Sequence, residues 1–237
     1  MSTDPSLSSP FDGHQSLSWL TYDNCLDSGP WDTLFPTCGL PESLHKAVPK
    51  RQRDYILGRY CATRALSRLI PGSSSFSVAV GPKRQPIWPQ GIVGSISHTE
   101  GMVLAWVGLN SVFKGLGIDA EIIRQKPTSP LRNYIFTPEE WHSLRAKVNG
   151  TIDDNELFIA GFSAKESFYK CLFPVCNEFF GFHDAWINAS DLGSSWNIRL
   201  LKPLPGIPAN LELPVTVRML QQWLITTVAW ESKSSLT

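Results

Sequence analysis

The sequence predicts an α+β fold built from two α+β halves, and three observations lead to this prediction. A helical period of apolar residues covers residues 50–70, and short strand-like runs follow it. A similar order of elements begins again at residue 115. The chain has 237 residues, enough for two modest halves that each contain a core. We expect the halves to join near residues 110–115, giving subdomains 1–112 and 113–237.

The first half is predicted to contain one long helix and three strands. At 100° per residue, four apolar side chains of helix 50–70 share one stripe: Tyr55, Ala62, Leu66 and Leu69. Strands are predicted near residues 76–80, 92–97 and 102–108. The Gly/Pro-rich segment 81–91 predicts a turn between the first two strands.

The second half is predicted to contain two helices among five strands. A helix is expected to begin at Thr137, with Thr137 as N-cap, Pro138 at the first helical position and Glu140 at the third. A second helix is predicted over residues 156–172. The strands are predicted near residues 115–123, 183–188, 196–201, 215–219 and 223–230.

Composition and charge exclude several classes of protein. The formal net charge is zero, which gives no argument for nucleic acid or an anionic membrane as a partner. The longest apolar run, Met102 to Leu109, is too short to span a bilayer. The N-terminal residues lack a basic n-region and an apolar h-region, so we expect no secretory signal. The cysteines are odd in number and form no CxxC pair: Cys25, Cys38, Cys61, Cys171 and Cys176. We therefore expect reduced thiols in a cytoplasmic protein.

Three acidic and two basic residues suggest a site for a metal ion and a polyphosphate. Asp119 and Glu121 are two residues apart on a predicted strand, so their side chains share one face. Two negative charges so close repel each other, and a cation between them would relieve the repulsion. Glu166 lies between Lys165 and Lys170 on a predicted helix. Taken alone, the strand pair favours two solvated acids, and the Glu166–Lys170 pair favours a surface salt bridge. Mg²⁺ is the cation that carboxylates and phosphates hold together.

The helix at residues 50–70 supplies a second group of basic residues. Three arginines fall opposite the apolar stripe and are predicted to form a solvated face: Arg53, Arg64 and Arg68. Arg59 projects beside the buried stripe, where a guanidinium needs an internal carboxylate or a ligand anion. The planar arginine fork suits a phosphate.

Three runs of sequence together resemble the motifs of a known family. They are Gly94-Ser95-Ile96-Ser97-His98, Gly117-Ile118-Asp119-Ala120-Glu121, and Phe162-Ser163-Ala164-Lys165-Glu166-Ser167-Phe168-Tyr169-Lys170. These runs are similar to the motifs of the larger 4′-phosphopantetheinyl transferases, the branch of the surfactin- and enterobactin-synthase type. The resemblance covers most of residues 50–175. It implies two similar subdomains related by pseudo-twofold symmetry, with the coenzyme A nucleotide on the first and the metal and catalytic helix on the second.

The resemblance also implies roles for individual residues. The expected ligands of Mg²⁺, or of Mn²⁺ in its place, are Asp119, Glu121 and Glu166. The expected catalytic residues are Glu166, Lys170 and Asp119. The residues expected to bind coenzyme A are Arg51, Arg59, Lys83, Ser97, His98, Lys165 and Lys170. Of these, Arg51 and Arg59 are expected on the 3′-phosphate, and Lys165 and Lys170 on the pyrophosphate.

Two assignments within this set stay open. Many relatives carry a lysine directly before the proline that is Pro86 here, but this chain has Gln85. Lys83 or Arg84 is expected to supply the missing charge. The general base that takes the proton of the acceptor serine is Glu166 by resemblance, with Glu140 as the rival.

The function implied by the resemblance is transfer of the 4′-phosphopantetheine arm of coenzyme A to a serine of an apo carrier protein, releasing 3′,5′-ADP. The expected partners are acyl, peptidyl and aryl carrier domains of siderophore, nonribosomal peptide or polyketide synthesis. We expect a monomer with no transmembrane segment and no nucleic-acid partner. The alternatives are a non-catalytic coenzyme A-binding protein and a Mg²⁺-dependent phosphoesterase.

Overall fold

The computed structural model describes residues 13–22, 39–72, 78–123, 129–148, 152–189 and 196–232. These residues form two compact units. One unit contains the described residues up to Phe113 together with Ser232, and the other runs from Lys114 to Glu231. Ser232 belongs to the first unit because its backbone N–H donates to the carbonyl of Val112 at 2.7 Å.

The first unit contains one long helix and two small antiparallel sheets. Its elements are β1 (Gln15–Thr21), α1 (Pro49–Leu69), β2 (Ala79–Val80), β3 (Pro86–Ile87), β4 (Ile92–Thr99) and β5 (Met102–Leu109). One sheet has the order β1-β5-β4, and the other pairs β2 with β3. The helix and the strands β4 and β5 match their predicted ranges. Part of the strand predicted at 76–80 lies outside the described residues, as do Cys25 and Cys38.

Helix α1 packs its apolar face on the three-stranded sheet. The shared core includes Leu57 and Leu66 from the helix and Val103, Ala105 and Val107 from β5. Strand β5 is buried on both faces along nearly its whole length, and the helix covers the face that carries Val103, Ala105 and Val107. The predicted stripe is therefore confirmed as the packing side of the helix.

The predicted solvated position of Arg53 is wrong. Its side chain is only 2% exposed, and its guanidinium lies 4.7 Å from the ring centroid of Tyr22. Arg68, from the same predicted face, is exposed and donates to the carbonyl of Leu17. A helical wheel cannot account for Arg53, because the residue that covers it follows β1 and is far away in the sequence.

The second unit contains a five-stranded sheet and three helices. Its elements are β6 (Phe113–Ile122), α2 (Ser129–Ile135), α3 (Pro138–Val148), α4 (Asp154–Cys176), β7 (Ala185–Asn188), β8 (Trp196–Leu200), β9 (Glu212–Leu220) and β10 (Trp223–Glu231). The strand order is β6-β10-β9-β8-β7. Every predicted strand and helix of this half is present, and the mixture of helices and antiparallel strands confirms the α+β class. None of the helices in the described ranges is long and apolar enough to cross a bilayer.

Helix α4 is longer than predicted because both of its ends are capped. The side chain of Asp153 accepts from the backbone N–H groups of Asn155 and Glu156, which completes a capping box. Pro174 lies in the last turn, and Asn177 ends the helix in the left-handed conformation. The helix therefore extends beyond the predicted range of 156–172 at both ends.

Two glycines of β6 let helix α4 lie directly on the strand. A Cβ added to Gly115 would stand 2.2 Å from the carbonyl oxygen of Cys171, and one added to Gly117 would stand 1.8 Å from that of Ser167. Both distances are far below van der Waals contact. The same face of β6 carries Asp119 two residues later, so this close approach determines which helix residues Asp119 meets.

We expect Gly117→Ala to destabilise the protein by at least about 3 kcal/mol, because the new methyl group would collide with helix backbone that cannot rotate away. The measurement is the free energy of unfolding from urea titration. Gly39→Ala is the control, since a Cβ there would meet no atom within 4 Å. Equal stability of the two variants would contradict the packing described for β6 and α4.

Candidate active site

Asp119 is the centre of a buried polar group between β6 and α4. Its Oδ1 accepts from the Lys170 ammonium at 2.6 Å, and its Oδ2 accepts from the Ser163 hydroxyl at 2.8 Å. Lys170 also donates to the carbonyl of Ile118 at 3.3 Å. Two donors from one helix therefore hold a carboxylate that is nearly inaccessible to solvent.

Sequence reasoning missed a chain of hydroxyl groups behind Asp119. Ser163 and Ser167 lie 2.9 and 2.7 Å from the hydroxyl of Thr226 on β10, and all three residues are fully buried. Because Ser163 gives its only proton to Asp119, Thr226 is the donor to Ser163. The signal available in the sequence was the pair of serines spaced four apart in the motif, together with a threonine inside an apolar strand.

Glu121 and Glu166 carry carboxyl groups that resist ionisation. The pKa of Glu121 is raised to about 7, first by burial and next by the charge of Asp119, with a smaller contribution from Glu166 and an opposing effect of Lys170. Burial is also the main cause that raises the pKa of Glu166, and the charge of Asp119 adds to it while Lys170 opposes it. The three predicted acids are therefore close enough for their charges to interact. The positive charge of Lys170 only partly compensates their negative charges.

These acids do not form a finished set of metal ligands. Among the residues that the structure describes, no group of three or more His, Cys, Asp or Glu side chains is arranged to hold a metal ion. Ser163 and Lys170 already bond both oxygens of Asp119. A cation shared by the three carboxylates would use the remaining lone pairs of these oxygens or would replace the Lys170 ammonium.

The expected position of Lys165 on the pyrophosphate is wrong for the described structure. Its ammonium is 1% exposed and donates to Glu140 Oε2 at 2.6 Å, to the carbonyl of Phe182 at 2.8 Å and to that of Ile135 at 3.0 Å. An ammonium has three protons, and these acceptors use all of them. Lys165 is instead a buried structural cation that connects α4 to α3 and to the turn at Phe182.

The rival general base, Glu140, is the buried partner of Lys165 in this ion pair. Its Oε2 accepts from Lys165, and its Oε1 accepts from the backbone N–H of Ile187 at 2.8 Å. Burial raises the pKa of Glu140 and the charge of Lys165 opposes that rise. The predicted cap of α3 is confirmed, since Thr137 accepts from the backbone N–H of Glu140. The Glu140 side chain faces the interior, where no substrate hydroxyl reaches it.

An apolar cavity of about 550 Å³ lies beside Glu166 in the second unit. Aromatic side chains form most of its wall: Tyr134, Tyr169, Phe179, Phe180 and Phe182. Tyr169 contacts Phe180 with ring centroids 5.1 Å apart, which ties α4 to the segment after it. Glu166, one of the three predicted metal ligands, is part of this wall.

A second cavity, of about 410 Å³, lies in the first unit and is basic. Arg51, Arg59 and Arg84 line it together with His98. Arg59 is buried, as predicted from its position beside the apolar stripe of the helix. Its guanidinium lies 4.8 Å from the ring centroid of Tyr55 and donates to the carbonyl of Ala79. Three guanidinium groups in one concave site favour an anionic ligand.

Two residues expected on the nucleotide are not on the wall of this cavity. Ser97 is buried and lies one residue from His98 on β4, so its side chain points to the opposite face of the strand. Lys83 does not line the cavity, whereas Arg84 does. Arg84 adopts a left-handed backbone conformation, with φ of 64°, in the turn before Pro86. Of the two candidates for the missing basic charge, Arg84 is therefore the one on the cavity wall.

We expect Lys165→Met to destabilise the protein by about 3–5 kcal/mol, because the Glu140 carboxylate would stay buried without its partner. Adding Glu140→Gln should restore more than half of the lost stability, since the amide still accepts from Ile187. The measurement is chemical unfolding of the two variants beside the wild type. A Lys165→Met variant that keeps its stability and loses only enzymatic activity would place Lys165 on the substrate instead.

The raised pKa of Glu121 predicts a pH-dependent stability in the absence of divalent metal. The folded state keeps this proton up to about pH 7, whereas the unfolded chain releases it near its ordinary value of 4.5. The folded state binds more protons between these values, so stability must fall as pH rises through this window. The measurement is the free energy of unfolding in urea with a chelator present, at about pH 5 and about pH 8. From the lower to the higher pH, this free energy should fall less for Glu121→Gln than for the wild type. Identical falls for both proteins would contradict the raised pKa.

Comparisons with known proteins agree with this geometry. The 4′-phosphopantetheinyl transferase N-terminal domain model matches residues 40–108, and the 4′-phosphopantetheinyl transferase superfamily model matches residues 115–226. The first match contains the basic cavity residues Arg51, Arg59, Arg84 and His98. The second match contains Asp119, Glu121 and the motif helix.

Individual relatives support the same family. The chain is 30% identical over 189 residues to the 4′-phosphopantetheinyl transferase PptT of Mycobacterium tuberculosis, covering 78% of this chain and 81% of the relative. It is 37% identical over 143 residues to the 4′-phosphopantetheinyl transferase Npt of Nocardia iowensis, covering 60% of this chain and 61% of the relative. It is 34% identical over 134 residues to the enterobactin synthase component D of Salmonella typhi, covering 54% of this chain and 51% of the relative.

The two family models together match most of the chain, and one relative of 30% identity is covered over most of its length. The chain therefore belongs to the 4′-phosphopantetheinyl transferase superfamily and is a holo-carrier-protein synthase, an enzyme that transfers the 4′-phosphopantetheine arm of coenzyme A to a carrier protein.

Proposed function

We propose that Asp119, Glu121 and Glu166 of the second unit hold a divalent cation on the pyrophosphate of coenzyme A, and that Lys170 binds the same phosphate oxygens. The observation that carries this proposal is the contact of Asp119 on β6 with Lys170 on α4, close enough to Glu121 and Glu166 for their charges to interact. Mg²⁺ is the cation that we propose, with Mn²⁺ as a substitute, since hard carboxylate oxygens suit both.

The electrostatics of the acids support this assignment. The pKa of Glu121 is raised to about 7 partly because Asp119 and Glu166 repel its negative charge. A divalent cation would relieve that repulsion and would leave all three groups ionised. When bound, it would also neutralise charge on the pyrophosphate during transfer. Lys170, with about a quarter of its side chain exposed, would turn from Asp119 to a phosphate oxygen.

Glu166 is our choice of general base. The family resemblance gives this role to Glu166, and its position agrees with the role. It lines the apolar cavity, whereas the rival Glu140 is buried in an ion pair with Lys165. Glu166 would accept the proton of the carrier serine as the serine oxygen attacks the phosphorus that bears the pantetheine arm. The bond between the two phosphates breaks, and 3′,5′-ADP leaves.

The two cavities differ in chemical character, since one is basic and the other is mainly apolar. We assign the 3′,5′-ADP end to the basic cavity of the first unit, with Arg51 and Arg59 on the 3′-phosphate. The sequence left two candidates for the missing basic charge before Pro86, Lys83 and Arg84. We assign this charge to Arg84, which lines the cavity. We assign the pantetheine arm to the aromatic cavity of the second unit, because that wall is mainly apolar and includes Glu166.

The carrier protein is assigned from the relatives. One group of relatives is named for enterobactin synthase, and the others are named as 4′-phosphopantetheinyl transferases without a carrier. We propose that this chain serves carriers of siderophore or nonribosomal peptide synthesis, or of polyketide synthesis. A carrier panel tests the choice.

The experiment is incubation of the protein with coenzyme A, Mg²⁺ and apo carriers of the peptidyl, aryl and acyl types, followed by intact-mass measurement. We expect one phosphopantetheine group to be added to at least one carrier. Glu166→Gln should slow this transfer by about a hundredfold or more, because it removes both the base and a metal ligand. The matched control is Glu178→Gln, an exposed glutamate just beyond the end of α4.

Three outcomes would contradict the proposal in different ways. Full activity of Glu166→Gln would exclude Glu166 as the base. Coenzyme A binding without transfer to any carrier would indicate a non-catalytic binding protein. Hydrolysis of the pyrophosphate without a carrier would indicate a phosphoesterase.

A further inference from the structure

A buried aspartate lies on the wall of the basic cavity in the first unit. Asp54 of α1 is 4% exposed, and its Oδ2 lies 3.5 Å from Nδ1 of His98 on β4. His98 is 38% exposed, and both residues line the cavity with Arg51 and Arg59. A carboxylate in a cavity suited to anions opposes ligand binding, so its presence there requires an explanation.

The other oxygen of Asp54 is held by groups on the side away from His98. Its Oδ1 lies 3.3 Å from the hydroxyl of Tyr22 and 3.5 Å from Nε of Arg53. The pKa of Tyr22 is raised to about 12, mainly by burial and next by the charge of Asp54, so Tyr22 remains a donor. The same hydroxyl lies 3.3 Å from the carbonyl oxygen of Thr99, the residue after His98, so its single proton is shared between the two acceptors. These contacts fix the carboxylate relative to the strand that carries the imidazole.

We propose that Asp54 is a positioning residue for His98, which holds the proton on Nδ1 and turns Nε2 toward a phosphate of the nucleotide in the cavity. An imidazole whose Nδ1 faces a carboxylate carries its proton there, and the ring plane is set by that pair. In the imidazolium form both nitrogens donate, one to Asp54 and the other to the phosphate. The inference rests on the proposed binding of the 3′,5′-ADP end in this cavity.

The alternative is that Asp54 only stabilises the fold through Tyr22 and Arg53. The two roles differ in their dependence on His98. A positioning role disappears when the imidazole is removed, whereas a purely structural role does not. A double-mutant cycle separates them.

The experiment measures the Kd of 3′,5′-ADP by calorimetry for the wild type, Asp54→Asn, His98→Ala and the double variant. Asp54→Asn should weaken binding about tenfold, the scale of one charge-assisted hydrogen bond. In the His98→Ala background the same change should weaken binding less than about twofold. Thermal melting of each variant reports any loss of folding separately.

A second measurement is made on the wild type, and a variant serves only to assign its signal. In the wild type labelled with ¹⁵N-histidine and saturated with 3′,5′-ADP, correlation spectra should show a proton on Nδ1 of His98. The His98→Ala spectrum assigns the signal. An unprotonated Nδ1 would overturn the inference.

The outcomes also separate this inference from the proposed function. Equal weakening by Asp54→Asn in both backgrounds overturns the positioning role and leaves the nucleotide site intact. Failure of the wild type to bind 3′,5′-ADP overturns the nucleotide site and the positioning role together.

Discussion

The contact between β6 and α4 through Gly115 and Gly117 is the constraint on which the catalytic half depends. With no side chain at either position, the helix backbone lies against the strand, and Asp119 on the same face meets Ser163 and Lys170. Any larger residue at Gly117 would separate the helix from the strand. The acidic group is thus a consequence of backbone packing, and its charges are concentrated because the two elements are so close.

Helical geometry explains why one lysine of the motif is buried and the other is partly exposed. Lys165 and Lys170 are five residues apart, which separates them by about 140° around the helix axis. Lys165 faces the interior, where Glu140 neutralises it, and Lys170 lies at the strand that carries Asp119. A buried ion pair with complete hydrogen bonding fixes the helix against its neighbours, and the adjacent, partly exposed pair is the one that can exchange partners.

Much of this arrangement could be predicted from the sequence, since it depends on local periodicity. The ranges of α1, β4 and β5, and the burial of Arg59, follow from residues that are near one another in the chain. The errors at Arg53 and Lys165 have one cause: what covers each side chain comes from a distant segment, Tyr22 in one case and Glu140 with Phe182 in the other. A motif specifies spacing along a helix but does not say which positions packing will bury.

The most direct test of the central claim is a crystal structure of the protein with coenzyme A and Mn²⁺, using the anomalous signal of the metal. We predict one ion in contact with oxygens of Asp119, Glu121 and Glu166 and of the pyrophosphate, with Lys165 still bound to Glu140. An ion that Glu166 does not contact, or a Lys165 ammonium on the phosphates, would contradict the account.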